Sequence, residues 1–349
     1  MSGSLVVRVD ASPEIGLGHL SRCSAIAQEW ARRGGQVSFI IKGSLASAMT
    51  ALEDPGYRLD KLSPSCEWGE DADAVSNACR DTDAAWLLVD APSCFAEEYM
   101  HRALPSGTCF LGIEDVPGSV PAMADAVLNP NFGVDTGMYP HADASSLMLL
   151  GPDYLPMRRA MVEVRSRMDS SEDESARRGL LLTAGGSDPH GVIPRAIELL
   201  RERGPRGLQV RAIIGPGATS AGDLPALARA DHQWLAVAQD ASSSDVAQMM
   251  LTSRVGLATG GGMMWEMLLL GLPTLAVQID ATNQEQALVS LEREGAIRLL
   301  GTPADLNREL VRGLQSLLHD RGRSDSMRRI GMRIVDGLGA SRIVDRMQQ

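Results

Sequence analysis

The fold is decided by residues 5–19, LVVRVDASPEIGLGH, where a β-branched run leads through a turn-rich segment to the start of a helix. Small and apolar residues then recur at helical spacing from about Leu20 to Arg33, and Gly34-Gly35 forms a natural helix stop. A second apolar run follows at residues 37–41. The pattern predicts a unit of strand, glycine loop, helix and strand. Such a unit implies a parallel sheet whose ligands bind beyond the carboxyl ends of its strands.

Three further apolar runs in the first half end in polar residues. They lie at residues 86–90, 109–113 and 126–128. The polar side chains that close them include Asp90, Asp115 and Asn129. Because such positions face one crevice in an open parallel sheet, these three residues are candidate substrate contacts. Each of them would equally serve to cap the next element.

The second half of the chain repeats this organisation. The charged residues 165–178 predict an exposed linker, after which an apolar strand at residues 179–183 leads into a glycine loop and a helix. We therefore predict two Rossmann-like α/β domains that face a central cleft. The predicted parts are an N-terminal domain at 1–154, a linker at 155–178 and a C-terminal domain at 179–349.

Two glycine-rich turns precede helices in the second half. Consecutive glycines let the backbone approach a ligand, and the exposed N–H groups at a helix start favour an anion such as a diphosphate. Glu266 lies about one turn into the second of these helices, where its carboxylate would accept hydrogen bonds from ribose hydroxyls. Alternatively, the glycines form tight packing turns and Glu266 complements the helix dipole. The predicted nucleotide-binding residues are Gly185, Gly186, Ser187, Ile214, Gly260, Gly261, Gly262, Met263 and Glu266.

His19 is the candidate catalytic base. It stands at the predicted helix start, where the partial positive charge of the helix favours a neutral imidazole. The alternative is a capping or packing histidine. The surrounding GLGH does not match GxGxxG, and no acidic residue stands in clear position for a dinucleotide ribose, so a nicotinamide cofactor is not expected.

Composition excludes several classes of protein. The chain has 349 residues and a formal net charge of −11, which disfavours nucleic-acid binding. Its five cysteines are odd in number and contain no CxxC pair, so neither a zinc site nor a disulfide framework is expected. No run approaches 18 apolar residues, and we expect a cytoplasmic protein without membrane insertion. The oligomeric state is left open.

The ordered motifs along the chain resemble the PseG family, nucleotide-sugar hydrolases of pseudaminic acid biosynthesis that have the two-domain GT-B architecture and are distantly similar to MurG. The likeness runs along essentially the whole chain. The motifs that carry it are Arg8-Val9-Asp10, Ile15-Gly16-Leu17-Gly18-His19, Arg22-Cys23, Leu150-Gly151-Pro152-Asp153-Tyr154, Gly185-Gly186-Ser187-Asp188-Pro189, Trp265-Glu266, Asn283-Gln284 and Asp336-Gly337-Leu338-Gly339-Ala340.

This resemblance implies hydrolysis of UDP-2,4-diacetamido-2,4,6-trideoxy-β-L-altropyranose to UDP and free sugar, without a metal or a cofactor. It also implies that His19 activates the attacking water, and we expect Asp10 to orient His19. Amide side chains at a helix start suit sugar hydroxyl and acetamido groups. The expected substrate-binding residues are Gly16, Gly18, Arg22, Asp90, Asn129, Asn283 and Gln284.

One departure from the family bears on the substrate. The family usually shows Asp-His-Tyr after a first-domain strand, whereas this chain has Asp90-Ala91-Pro92. Two polar groups expected near the sugar are missing, so a related amino sugar nucleotide remains open as substrate. Two other functions also remain open. One is a GT-B glycosyltransferase that passes a UDP-amino sugar to an acceptor, and the other is a nucleotide-sugar binding protein without turnover.

Overall fold

The structure is a computed structural model of the chain. It describes residues 3–11, 18–43, 52, 56–140, 143, 145–168, 177–218, 222–239, 241–280 and 284–349. Two compact units make up the molecule. The first contains Met1–Arg159 together with Leu338–Gln349, and the second is Ala160–Gly337.

The first unit contains a seven-stranded sheet in the order β3-β2-β1-β4-β5-β6-β7. Every neighbouring pair is parallel. The first six strands have the order of a dinucleotide-binding Rossmann sheet. The strands are β1 (Ser4–Ala11), β2 (Gln36–Gly43), β3 (Arg58–Leu62), β4 (Ala84–Asp90), β5 (Cys109–Ile113), β6 (Ala126–Asn129) and β7 (Leu147–Leu150).

The second unit contains a six-stranded sheet in the order β10-β9-β8-β11-β12-β13, again parallel throughout. Its connectivity repeats that of the first sheet, so the prediction of two Rossmann-like α/β domains is confirmed. The strands are β8 (Leu180–Thr183), β9 (Val210–Ile214), β10 (Leu235–Gln239), β11 (Val255–Thr259), β12 (Thr274–Val277) and β13 (Ile297–Leu299).

Helices connect the strands, as parallel pairing requires. The first unit holds α1 (Gly18–Arg32), α2 (Trp68–Asp81) and α3 (Glu97–Ala103), and it ends at Arg159, the first residue of α4 (Arg159–Arg167). The second unit holds α5 (Val192–Arg203), α6 (Leu224–Ala230), α7 (Ser243–Thr252), α8 (Gly262–Leu269), α9 (Glu285–Glu294), α10 (Leu306–His319) and α11 (Arg321–Ile334). The last helix is α12 (Gly339–Met347).

Two opposite faces of the first sheet build two separate cores. Alternate residues of β1, such as Val7 and Val9, pack with α1 residues such as Leu20. The residues between them face the other way, where Val6 packs with Val75 of α2. This alternation follows from the two-residue period of a strand, and it decides which helix each strand-end side chain meets.

The chain returns to the first unit at its end, which differs from the predicted domain at 179–349. The apolar side chains of Ile343, Val344 and Met347 are buried in the core on the α1 side of the first sheet. Trp86 Nε1 also donates a hydrogen bond to the Met347 carbonyl at 2.9 Å. Burial of this amphipathic face therefore assigns α12 to the first unit, although it follows the second in sequence.

The predicted linker is also not a simple connection. Its residues 159–167 form the helix α4, whose Met161 is fully buried. Residues 169–176 of the predicted linker lie outside the described residues. Only one side chain of this helix is buried, so its sequence is mostly polar and did not predict a helix.

Candidate active site

A histidine and a buried carboxylate meet at the carboxyl end of the first sheet. His19 lies in the first turn of α1, and Asp90 is the last residue of β4. His19 Nδ1 lies 2.7 Å from Asp90 Oδ1. The Asp90 side chain is fully buried, whereas 25% of the His19 side chain is exposed. Because this contact with an acceptor is much shorter than the 3.3 Å between Nδ1 and Arg22 Nη2, it favours the tautomer with the proton on Nδ1 and leaves Nε2 as the basic nitrogen.

Arg22 joins this pair to a second carboxylate. Its Nε donates to Asp90 Oδ2 at 2.6 Å and its Nη2 donates to Asp90 Oδ1 at 2.8 Å. The same guanidinium donates to Asp115 through Nη1 at 2.7 Å and through Nη2 at 3.1 Å. Arg22 lies one helical turn after His19, so both side chains project from one face of α1. The rigid fork of Arg22 thereby fixes the carboxylate that holds the imidazole.

The electrostatics of this group keep both carboxylates ionised. Burial alone would raise the pKa of Asp90, but the charges of Arg22 and His19 and their hydrogen bonds outweigh it and hold the pKa well below the usual range. Burial likewise opposes ionisation of Asp115, yet Arg22 lowers its pKa. The Cys23 thiol, buried 3.6 Å from Asp90, has a raised pKa because of burial and the neighbouring carboxylate. Cys23 therefore remains a neutral thiol.

The expectation that Asp10 orients His19 is corrected by the geometry. Asp10 Oδ1 accepts a hydrogen bond from Arg8 Nη1 at 2.6 Å. The reason is strand alternation: Arg8 and Asp10 share the face of β1 that meets α2, whereas Asp90 follows Leu88 on the face that meets α1. The sugar contact predicted at Asp90 is thus the carboxylate that holds His19.

Arg8 belongs to a second buried network, on the other face of the sheet. Its side chain is fully buried and donates to both carboxylate oxygens of Asp71, at 2.8 and 2.7 Å. Tyr99 donates its hydroxyl to Asp71 Oδ1 at 2.7 Å, and Lys42 Nζ lies 3.6 Å from Oδ2. Burial would raise the pKa of Asp71, but Arg8 lowers it. Sequence reasoning missed Asp71 and Tyr99 because neither follows a strand.

The predicted contact Asn129 is fully buried at the end of β6. Its Nδ2 donates to the Tyr139 hydroxyl at 3.0 Å, and its Oδ1 accepts from Asn131 Nδ2 at 3.1 Å. Asn131 Nδ2 also lies 3.4 Å from Asp115 Oδ1. Asn129 therefore positions Asn131, and the amide of Asn131 is the group that reaches Asp115. Gly18 is the exposed first residue of α1, and the predicted Gly16 lies outside the described residues.

In the second unit, the first predicted phosphate loop packs against a neighbouring loop. Gly185 has a φ of 74°, which favours glycine. A Cβ on Gly215 would lie 2.4 Å from the carbonyl oxygens of both Gly185 and Gly186, so the two loops approach closely. Asp188 caps α5, since its carboxylate accepts from the Val192 and Ile193 N–H groups at 2.7 and 3.0 Å. Ser187 follows these glycines, and Ile214 ends β9 beside the same loop.

The second predicted loop leaves space at a helix start. Gly261 precedes α8, and added Cβ atoms on Gly261 and Gly262 would meet no described atom within 4 Å. Gly260 differs, because a Cβ there would lie 2.9 Å from Gln284 Oε1. Backbone N–H groups at residues 262–263 therefore start a helix beside an open region, which is the geometry of an anion site.

Glu266 and Gln284 lie on either side of this loop. Glu266 is in α8 with only 5% of its surface exposed. Gln284 Oε1 accepts from the N–H groups of Ile279 and Asp280 at 3.2 and 3.4 Å, and so it fixes the segment after β12 against Gly260. Its amide oxygen is therefore engaged by the backbone. The predicted Asn283 lies outside the described residues.

The described residues contain neither a metal-binding cluster nor a membrane-spanning helix. No three His, Cys, Asp or Glu side chains in this part of the chain are grouped to hold a metal ion. No helix among the same residues is long and apolar enough to cross a membrane.

Comparison with known proteins identifies the fold. No family model matches the chain. An uncharacterized protein of Methanocaldococcus jannaschii is 20% identical over 283 residues, which cover 80% of this chain and 57% of that protein. The chain thus spans little more than half the length of this relative.

Solved structures match over nearly the whole chain. UDP-GlcNAc 2-epimerase from Neisseria meningitidis, bound to UDP-GlcNAc, has 13% identity and a TM-score of 0.67, with 99% of each chain covered. MurG from Acinetobacter baumannii has 14% identity and a TM-score of 0.60, again with 99% of each chain covered. The chain has the GT-B type of fold. Its structural neighbours thus include a UDP-GlcNAc 2-epimerase and MurG.

Proposed function

We propose that the chain is a nucleotide-sugar hydrolase of the PseG type, which cleaves a UDP-linked diacetamido-trideoxy sugar to UDP and free sugar without a metal. The observation that carries this proposal is the hydrogen bond of 2.7 Å between His19 Nδ1 and the buried Asp90. A histidine so held presents Nε2 as a general base, in the arrangement by which an aspartate fixes the tautomer of a catalytic imidazole.

The chemistry would proceed as a single displacement. His19 Nε2 accepts a proton from water, the water oxygen attacks the anomeric carbon, and the bond from that carbon to the diphosphate oxygen breaks. The resulting imidazolium is stabilised by the charge of Asp90, and UDP leaves with the bonding electron pair. Inversion at the anomeric carbon follows from one displacement.

The second unit would bind the nucleotide. We assign the diphosphate to the N–H groups at the start of α8, where Gly261 and Gly262 adjoin open space, with the loop at residues 185–187 beside it. Glu266 is assigned to the ribose hydroxyls, and Gln284 holds the loop in place through its amide oxygen. The fold of known UDP-sugar enzymes supports this assignment.

The first unit would bind the sugar part of the substrate. Arg22 and Asp115 keep Asp90 in position, and Asn131 offers an amide near the same group. Ala91 and Pro92 provide no polar groups where the PseG family has His and Tyr, so a diacetamido sugar or a close analogue is the proposed substrate class. We place the activity in nonulosonic acid biosynthesis of the pseudaminic type, in the cytoplasm.

The test is detection of products without an acceptor. Purified protein is incubated with UDP-2,4-diacetamido-2,4,6-trideoxy-β-L-altropyranose in the presence of a chelator, and UDP and free sugar are measured by mass spectrometry. Both products should form with the wild type and with His101→Leu, which changes an exposed histidine of α3. They should be absent with His19→Leu. Intact substrate with the wild type would contradict the assignment of this sugar.

A glycosyltransferase is the second candidate, favoured by the likeness to MurG over 99% of both chains. A glycosyltransferase would use the same proposed nucleotide site, but it would need an acceptor hydroxyl in place of water. Release of UDP only after addition of an acceptor extract, with the sugar found on a larger product, would support it over hydrolysis.

A further inference from the structure

A basic cavity lies in the second unit, at the amino ends of its strands. Its volume is about 130 Å³, and Arg177, Arg254, Arg321 and Arg328 line it together with Asp325, Ser324, Gly271 and Pro273. Arg254 directly precedes β11, and Pro273 directly precedes β12. The glycine loops follow the carboxyl ends of these strands, so the cavity and the proposed diphosphate site lie at opposite ends of the sheet.

This cavity is too far from the glycine loops to be part of the proposed nucleotide site. Strand β11 separates Arg254 from Gly260, and a parallel strand rises about 3.3 Å per residue, which gives roughly 20 Å between them. A ligand in the cavity therefore binds independently of a diphosphate at the start of α8.

The charges of the lining are unbalanced. Four guanidinium groups face one carboxylate, Asp325, in a chain whose formal net charge is −11. Arg254 donates to the Leu318 carbonyl at 3.2 Å, and within the described residues neither Arg254 nor Arg321 forms an ion pair. Positive charge is thus concentrated in the lining of this cavity, although the net charge of the protein is negative.

One helix brings four of the lining residues together. Arg321 is the first residue of the helix α11, which has 14 residues and whose N-terminal end is capped by the Asp320 carboxylate through the Arg323 N–H. Arg321, Ser324, Asp325 and Arg328 follow a spacing of three and four residues, so one face of this helix lines the cavity.

Arg177 is built into the cavity wall. Its surface is only 8% exposed, and it donates to the Gly271 carbonyl at 3.2 Å and to the Leu270 carbonyl at 3.5 Å, where the peptide chain leaves α8. These contacts fix the guanidinium at the carbonyl end of that helix. Arg177 therefore holds a positive charge at a fixed place beside the three other guanidiniums.

We propose that this cavity binds a phosphate-bearing anion no larger than diphosphate, at a site separate from that of the nucleotide. Drug-sized ligands occupy pockets of about 300 to 1,000 Å³, whereas a cavity of about 150 Å³ holds a molecule the size of benzene. The guanidinium fork suits phosphate oxygens because it donates two parallel hydrogen bonds. The bound anion offsets the repulsion between the arginines and stabilises the second unit.

The test measures thermal unfolding of the full chain with sodium diphosphate, with sodium chloride at the same ionic strength as reference. Diphosphate should raise the melting temperature of the wild type and of Arg329→Ala, an exposed arginine of α11 outside the cavity. Arg254→Ala and Arg321→Ala should each weaken diphosphate binding roughly 10- to 100-fold, as expected for loss of a hydrogen bond between charged groups. Orthophosphate in place of diphosphate distinguishes the two anions.

UDP binding provides the control for folding and for the other site. Both cavity variants should keep the UDP affinity of the wild type, and the exposed Arg321 should be replaceable without loss of the folded state. An equal diphosphate effect in the wild type and both variants would overturn the proposal, because it would place the anion elsewhere. No effect of either anion on the wild type would overturn it as well.

Discussion

Replacement of Asp90 by asparagine should separate the catalytic role of the carboxylate from its structural role. The side chain is fully buried and accepts from His19 Nδ1 and from Nε and Nη2 of Arg22. An asparagine oxygen can still accept from Arg22, which turns the amide N–H groups towards His19. Nδ1 must then act as an acceptor, and the proton moves to Nε2, where it blocks the base.

The expected loss follows from these contacts. Removal of a general base costs about 10² to 10⁴ in turnover, and the wrong tautomer should reach the same range. The folded state should also lose about 3 kcal/mol, the lower end of the range for breaking a buried ion pair, because Arg22 keeps both hydrogen bonds to Asp115. KM should change little, since the residues assigned to the nucleotide belong to the second unit.

The assay combines kcat and KM from UDP release, a pH profile and urea unfolding. Asp115→Asn is the matched control, because 31% of the Asp115 side chain is exposed and the contact between His19 and Asp90 remains. It should lower kcat far less. Across the whole pH profile, only Asp90→Asn should show the large loss of kcat. A folded Asp90→Asn protein with kcat within threefold of the wild type would refute the reasoning.

Three other changes give direct tests. His19→Gln should lower kcat by at least about 10²-fold with UDP affinity, measured by calorimetry, nearly unchanged; unchanged kcat would contradict the base role. Gly260→Ala should lower the free energy of unfolding in urea by about 1 to 3 kcal/mol, because its Cβ meets Gln284. Gly261→Ala should leave that free energy within about 1 kcal/mol of the wild type and should weaken UDP binding. The reverse pattern would contradict the assigned loop. Since Arg8 lowers the pKa of Asp71, the stability from this pair is present above the unfolded pKa of about 3.9 and is lost as pH falls through the folded pKa. Urea unfolding from pH 6 to pH 2 should therefore be less pH-dependent in Asp71→Asn than in the wild type, and equal slopes would contradict this linkage.

The interior strands could be predicted from sequence, whereas the edge strands could not. The runs that contain β1, β4, β8 and β11 are almost entirely apolar because these strands are buried on both faces. The edge strand β3 has the sequence RLDKL, in which no residue is buried. The other edges, β7, β10 and β13, were also not predicted, although β7 is LMLL and β10 is LAVAQ. For these two short apolar runs, the pairing of β7 with β6 and of β10 with β9 is what shows that they are strands.

The domain boundary shows a second limit of sequence reasoning. Residues 339–347 were assigned to the second domain because they follow it, but Ile343 and Val344 are fully buried in the first unit. Their amphipathic spacing predicts a helix with one apolar face, yet it does not say which unit receives that face. The information is tertiary, in the complementarity between this face and the α1 side of the first sheet.

The partner of His19 was, in contrast, available from the sequence through strand parity. Leu88 and Asp90 are two residues apart, so they share a face, and the same holds for Arg8 and Asp10. Once α1 is placed over Val7 and Val9 by its apolar residues, Asp10 must lie on the opposite face of β1. Proximity of Asp10 to the glycine loop in sequence was the weaker guide, because a strand reverses its side-chain direction at every residue.

The same parity separates two charge networks that lie at one end of a single sheet. Arg8 with Asp71 lies on the α2 face, and Arg22 with Asp90 lies on the α1 face. In both, a guanidinium outweighs the effect of burial and keeps an aspartate ionised. The two networks differ in the other hydrogen-bond partner of the carboxylate. Asp71 accepts from the buried Tyr99, within a core, whereas Asp90 accepts from a partly exposed imidazole. Charge and burial alone would therefore not distinguish a structural aspartate from a functional one. The distinction rests on the partly exposed ring of His19, which can carry a proton between the buried network and a bound molecule.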